Sequence, residues 1–177
     1  MPDSKLLGND EKTYLGRYTW DAIYAQKHVA VASGTLESIR LKCPDIIPQN
    51  RVGIYTDNAG ELGVLLASSG LVATITGWNT IDISNINIIS GTIYWLAVDS
   101  AYVASGGSVF GNDPGGISRA KAWPHANAFP NPAGTDWLVR TREFAIAGWG
   151  TVGGASVGLI GDGLVGNSVL IGGGLVG

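Results

Sequence analysis

The sequence is poor in charge and in cysteine, and each shortage argues against a class of protein. Charged residues make up 14% and hydrophobic residues 45% of its 177 residues, the opposite of the balance that keeps a chain disordered. A net charge of −3 provides no basic surface for a phosphate backbone, so we expect no nucleic-acid partner. The single cysteine, Cys43, has no partner for an intrachain disulfide. The composition therefore predicts one ordered domain of ordinary size.

Long hydrophobic runs are missing as well. No apolar run reaches the roughly 18 residues that a membrane-spanning helix requires, so we expect no membrane span. The N-terminal sequence MPDSKLLGNDEK lacks the continuous apolar stretch of a secretory signal. We therefore expect a chain that is made in the cytoplasm, exported by another route or released by lysis.

Residues for catalysis or metal binding are also few. The two histidines are His28, which lies in an apolar strand-like run, and His125, which lies in a polar segment. Two histidines and one cysteine are too few for a spaced zinc site. Asp57, Asn58 and Glu61 offer clustered oxygens for calcium, but their spacing fits a capped turn better than a calcium loop. We expect no enzymatic activity, no cofactor and no bound metal.

Short β-rich runs separated by turn residues make up most of the chain. Alternation of apolar and polar residues is clearest in 36–41 and 81–84, as in strands with one buried face. One short helix is predicted around 20–26. The predicted strands are 27–32, 35–42, 51–56, 64–68, 72–76, 80–83, 86–89, 92–98 and 136–146. Their number and spacing predict an all-β fold, an antiparallel β-sandwich with jelly-roll-like topology.

Turn residues divide these strands. Ser33-Gly34 and Ser90-Gly91 each separate two strand-like runs, which predicts two tight hairpins. Residues 57–60, Asp-Asn-Ala-Gly, have an aspartate that can accept a following backbone N–H and a glycine that tolerates positive φ. Residues 110–135 form a long segment rich in proline. We predict that Trp123 and Phe129 hold it over one face of the sandwich, and a functional loop is the alternative.

The chain changes character after Trp149. Residues 150–177 contain no aromatic residue and one charge, Asp162, and they repeat a short unit of glycine and aliphatic residues. Such a segment cannot fold alone, yet it exposes many apolar side chains, which predicts an extended arm that docks on protein. The residues expected to carry this docking are Val157, Leu159, Ile160, Leu164, Val165, Leu170, Ile171, Leu175 and Val176. The predicted organisation is an N-terminal segment at 1–24, a sandwich at 25–149 and the arm at 150–177.

Two motifs carry a family resemblance. The first is VGIYTDNAG at 52–60 followed by LLASS at 65–69, and the second is GWN at 77–79 leading to SGTIYWLA at 90–97. In this order they resemble the jelly-roll-like β-sandwich domains called choice-of-anchor domains, which occur in bacterial surface proteins and among phage virion proteins. The resemblance covers about 25–147 and implies a surface or structural module without catalysis.

The resemblance and the arm together predict a structural subunit of an extracellular filament or of a virion-associated fibre. Each subunit would dock its arm on the next, so that copies of the chain are the expected partners and form an open head-to-tail homopolymer. The alternative is a carbohydrate-binding sandwich that uses exposed aromatic residues. Its candidate glycan contacts are Trp78, Trp123 and His125, because Trp95 and Trp137 lie in strand-like runs and are predicted to be core.

Overall fold

The structure is a computed structural model that describes residues 3–11, 15–17, 22–100, 109–111 and 113–153. These residues form thirteen strands and no helix, and thus none that could cross a membrane. The strands are β1 (Ser4–Asn9), β2 (Leu15–Arg17), β3 (Ala22–Val29), β4 (Gly34–Cys43), β5 (Ile47–Asn58), β6 (Glu61–Ser68), β7 (Val72–Thr74), β8 (Gly77–Ile88), β9 (Ile93–Ser100), β10 (Val109–Gly111), β11 (Asp113–Ala122), β12 (Leu138–Glu143) and β13 (Ile146–Val152).

Two antiparallel sheets pack face to face. The narrow sheet has the order β1-β13-β4-β8. The wide sheet has the order β12-β11-β3-β9-β5-β6, with β7 also paired to β5, and β2 and β10 form a separate two-stranded pair. The predicted β-sandwich is therefore confirmed.

The strand connectivity is that of a jelly roll. Strands β1, β3, β4 and β5 pair with β13, β9, β8 and β6, so the chain runs out along four strands and returns along four others. Successive pairs alternate between the narrow and the wide sheet, which is how a long antiparallel ribbon rolls into two Greek keys. The β11–β12 hairpin is inserted before the last strand and widens one sheet.

The main core lies between the sheets, and β9 has a second apolar face. Tyr94, Leu96 and Val98 belong to the main core, whereas Trp95 and Ala97 point to the outer face of the wide sheet, where a second apolar cluster lies. Alternating side chains with both faces apolar are expected of a central strand that is covered on both sides.

The N-terminal segment belongs to the sandwich. Strand β1 pairs with β13 at the edge of the narrow sheet, and Leu6 and Leu7 are fully buried. The sandwich therefore begins before residue 25, and it ends at Val152 rather than at residue 149. The predicted helix around 20–26 is wrong, because 22–26 lie in β3 and pair with β9 and β11.

Both predicted hairpins at Ser33-Gly34 and Ser90-Gly91 are wrong. The first connection joins β3 to β4 and the second joins β8 to β9, and in each case the two strands belong to different sheets. The turn at 57–60 is confirmed as the β5–β6 hairpin: Gly60 has a φ of +91° and its N–H donates to Asp57 Oδ2 at 3.0 Å. The predicted strands 80–83 and 86–89 form a single strand, β8.

Candidate functional site

The described chain leaves the sandwich at one end, which we call the exit end. Strand β13 ends at Val152, which pairs with Gly34 at the start of β4. The N–H of Gly153 then donates to the carbonyl of Ser33 at 3.0 Å, and the N–H of Ser90 donates to Ser33 Oγ at 2.9 Å. Gly153 is therefore hydrogen-bonded to the turn between β3 and β4, and that turn is itself bonded to the one between β8 and β9. The nine predicted docking residues of the arm all lie outside the described residues.

The exit end carries exposed apolar side chains. Val31 and Ile89, one from each of its two turns, are 66% and 62% exposed, and Val152 is also exposed. Scattered exposed aliphatic residues are ordinary on a soluble protein. The exposure of these side chains can be compared with that of the apolar side chains at the other end.

The opposite end, which we call the far end, lies one strand length away. Strand β4 runs from Gly34 to Cys43, a distance of about 30 Å at roughly 3.4 Å per residue. Ile46 and Ile75 lie at this end and are 70% and 64% exposed. Ile47 of β5 pairs with Thr74 of β7 in an antiparallel ladder. Ile46 precedes Ile47 and Ile75 follows Thr74, so the two exposed isoleucines are neighbours at the end of that ladder. We call them the far-end pair.

The backbone beneath the far-end pair is held in place. The amide of Asn79 brackets Ile75: the Ile75 N–H donates to Asn79 Oδ1 at 2.8 Å, and Asn79 Nδ2 donates to the Ile75 carbonyl at 2.8 Å. The same Nδ2 donates to the Gly77 carbonyl at 3.0 Å. Ile75 is therefore presented to solvent on a fixed segment rather than on a loose loop, which lowers the entropy cost of binding there.

Unpaired strand edges lie beside the far-end pair. In the described part of the chain β7 pairs only with β5, and β8 pairs only with β4. Each leaves a row of backbone N–H and C=O groups open, and an extended peptide can add to such an edge as a further strand. The far end thus combines exposed aliphatic side chains with free backbone hydrogen-bonding groups.

A loop at 123–137, which we call the cover loop, lies over the outer face of the wide sheet. Phe129 is buried against the sheet, and a Cβ built on Gly53 would lie 2.7 Å from its ring. Tyr55 Oη donates to the Pro130 carbonyl at 3.0 Å, and the Ala133 N–H donates to the Gly63 carbonyl at 3.0 Å. These contacts confirm that the segment packs over one face of the sandwich. Within the predicted segment 110–135, Asp113–Ala122 form strand β11 and are not part of a loop.

A buried charge cluster holds the start of the cover loop. The carboxylate of Asp99 is fully buried on β9, 3.5 Å from Arg51 Nη1 and 3.1 Å from His125 Nδ1. Arg51 also donates to the carbonyl of Asn127. His125 Nε2 is buried without a hydrogen-bond partner among the described residues, so no nucleophile is held against it as in a Ser-His-Asp triad.

The three predicted glycan contacts do not form one surface. Trp78 lies on β8 in the narrow sheet, whereas Trp123 and His125 belong to the cover loop over the wide sheet. Trp123 Nε1 donates to the Ala128 carbonyl at 3.1 Å within that loop, and the His125 side chain is only 12% exposed. Trp78 is 38% exposed, with the Lys42 ammonium 5.9 Å from its ring centroid. Trp78 is therefore the most accessible of the three.

Other polar groups on the wide sheet already have protein partners. Asp57 Oδ1 accepts a hydrogen bond from Trp95 Nε1 at 2.8 Å and lies 3.7 Å from Lys27 Nζ. Glu61 accepts two hydrogen bonds from Arg119, at 2.9 and 2.6 Å, which lowers the pKa of the Glu61 carboxyl. The carboxylates of Asp57 and Glu61, which the sequence offered for calcium, are thus engaged in the turn and its ion pairs. Within the described ranges no three His, Cys, Asp or Glu residues cluster as metal ligands would.

His28 is a strand residue, as predicted. It lies in β3 opposite Tyr94, and burial lowers its pKa to about 4. Its Nε2 atom has no hydrogen-bond partner in the described structure. Such a histidine remains neutral at physiological pH.

The far-end pair is the surface that sequence reasoning missed. Ile46 precedes a buried isoleucine, and Ile75 lies within the predicted strand 72–76, so neither differs from a core residue by pattern alone. Their exposure follows from the pairing of β7 with β5. The sequence carries only a weak signal for it, the adjacent pair Ile46-Ile47, of which one member must point outward in a strand.

Comparison with protein-family models and with curated proteins finds no match for this chain.

Proposed function

We propose that this protein is a non-enzymatic structural subunit that assembles into an extracellular filament or a virion-associated fibre. Each subunit docks its C-terminal arm on a neighbouring copy, giving a head-to-tail homopolymer. The resemblance of 25–147 to choice-of-anchor domains, which serve as surface and virion modules, supports the proposal.

The observation that carries the proposal is the point at which the arm begins. The Gly/aliphatic repeat follows directly after a strand that ends at the exit end, where Gly153 is hydrogen-bonded to Ser33. A surface segment with so many aliphatic residues requires a partner. An arm that leaves from one end of a sandwich makes contact through different surfaces on the two copies, and such a contact generates an open polymer when the rotation between copies does not close a ring.

Removal of the arm tests the proposal. The shortened chain should end at Gly153, because Thr151 and Val152 still pair with β4. We expect the full chain to form filaments, visible by negative-stain microscopy and light scattering, and the chain ending at Gly153 to stay folded and monomeric. Folding is checked by the circular dichroism of both chains. Compact monomers of both chains would contradict the proposal.

Carbohydrate binding by exposed aromatic residues is the second candidate function. The exposed ring of Trp78 beside Lys42 favours it, because sugars stack on tryptophan rings and polar neighbours then orient them. A glycan array probed with the chain ending at Gly153 separates the two functions, since sugar binding does not require the arm. Binding that disappears in Trp78→Ala would support this candidate.

A further inference from the structure

We infer that the far-end pair, Ile46 and Ile75, is the surface that accepts residues 154–177 from the arm of a second copy. The inference rests on the proposed function and adds to it the acceptor. It assigns the two halves of the contact to opposite ends of the sandwich, with the donor at the exit end and the acceptor about 30 Å away at the far end.

The direction of the chain favours a second copy as the donor. Strand β13 runs from Ile146, which pairs with Leu41, to Val152, which pairs with Gly34. It therefore points away from the far end of its own sandwich when it ends. An arm that continues in this direction meets the far end of a sandwich stacked on the exit end. An arm that reached its own far-end pair would have to reverse and run back along the whole sandwich.

The length of the arm is sufficient for this contact. Residues 154–177 are twenty-four residues, which span up to about 80 Å when extended at roughly 3.3 Å per residue. The strands of the sandwich are about 30 Å long. The arm of one subunit can therefore cross the junction and lie along the first part of the next subunit.

The chemistry of the two partners is complementary. The acceptor offers two exposed isoleucines on a backbone bracketed by Asn79, together with the open edge of β7. The arm has one charged residue, Asp162, and short groups of one to three aliphatic residues separated mainly by glycines. Aliphatic side chains bury apolar area against the isoleucines, and glycines let the arm's backbone come close to a strand edge. Strand addition uses both kinds of contact.

Two exposed valines outside both ends provide a matched control. Val64 and Val139 are β-branched, are 51% and 64% exposed, and lie within strands β6 and β12 of the wide sheet. A lysine at an exposed edge position opposes association without removing core packing. The double variant Ile46→Lys/Ile75→Lys therefore tests the acceptor, and Val64→Lys/Val139→Lys makes the same change of charge outside the proposed junction.

Sedimentation and microscopy of these full-length variants give the first measurement. We expect the control variant Val64→Lys/Val139→Lys to polymerise as the unmodified chain does, and the far-end variant to need at least about 100-fold more protein before it polymerises. Polymerisation of the far-end variant at the normal concentration would overturn the inference, as would a loss of polymer in the control variant alone. If the unmodified chain is monomeric, the proposed function itself fails.

A complementation experiment gives the second measurement. The far-end variant keeps its arm and lacks the acceptor, whereas the chain ending at Gly153 keeps the acceptor and lacks the arm. Their mixture should form one-to-one heterodimers and nothing larger, and the absence of heterodimers would overturn the inference. If the double variant fails to fold, as judged by circular dichroism, the single variant Ile46→Lys takes its place in both experiments.

Discussion

His28 makes the stability of this protein dependent on pH. Burial lowers its pKa to about 4 in the folded chain, whereas an unfolded histidine has a pKa of about 6.5. Between these values the unfolded chain binds a proton that the folded chain does not bind. The contribution of His28 is therefore fully present above about pH 6.5 and is lost as the pH falls towards 4.

When the pH falls from 7.5 to 4.5, we expect the wild-type chain to lose about 2–3 kcal/mol more unfolding free energy than His28→Gln loses. Urea unfolding at the two pH values measures it. All other groups titrate in both chains, so the difference between the chains isolates the imidazole. An equal loss of stability in both chains would contradict the prediction.

Single-residue environments are predictable when neighbours along the chain determine them. The place of His28 in a strand and the turn that Asp57 and Gly60 form both follow from local sequence, and the structure confirms them. The exposure of Ile46 and Ile75 does not, because it depends on which strand pairs with β5. The ion pair of Glu61 with Arg119 joins residues that are 58 positions apart, and no local pattern indicates it.

Strand β13 is the element that links the sandwich to the arm, and its last residues stabilise the sandwich. Thr151 Oγ1 donates to Glu37 Oε1 at 2.8 Å, and Val152 pairs with Gly34. The Gly153 N–H donates to the Ser33 carbonyl. These bonds close the end of the narrow sheet against the turn between β3 and β4. A boundary at residue 149, as the change in composition predicts, would remove them.

We therefore expect a chain ending at Gly150 to be less stable than a chain ending at Gly153 by about 1–3 kcal/mol, since hydrogen bonds contribute about 0.5–1.5 kcal/mol each. Urea denaturation of the two chains measures the difference. The variant Thr151→Val in the longer chain is the control, because it removes the side-chain bond to Glu37 and keeps the backbone pairs. Equal midpoints for the two shortened chains would show that residues 151–153 add nothing to the fold.

Element types follow from the sequence more readily than their connections. The alternation in 36–41 and 81–84 predicts strands, and both lie in strands of the narrow sheet. The residues at 20–26 lack a clear alternation, so their pattern is compatible with a helix, but pairing with β9 and β11 makes 22–26 a strand. Ser33-Gly34 and Ser90-Gly91 have the residues of hairpin turns, yet they join strands of different sheets. Turn chemistry fixes a reversal of the backbone and not the sheet to which the next strand belongs.

At the scale of the whole molecule, the jelly roll gives the subunit two different ends. The exit end contains the turns that join β3 to β4 and β8 to β9, together with the end of β13. The far end contains the pairing of β7 with β5 and the two exposed isoleucines. Because the two ends differ, a contact between them on separate copies, as proposed above, would be heterologous, and a filament built from it would have a direction.

A directional filament should be shortened by subunits that can accept an arm but cannot donate one. The chain ending at Gly153 is such a subunit, since its far-end pair is intact. Added to full chains at about one to ten, it should reduce the mean length to roughly eleven subunits, because each filament then ends on one shortened chain. Electron microscopy measures the lengths. The same shortened chain with Ile46→Lys/Ile75→Lys is the control and should leave them unchanged, because it cannot accept an arm. Unchanged lengths with the unmodified shortened chain would mean that the subunits associate through a contact other than the arm.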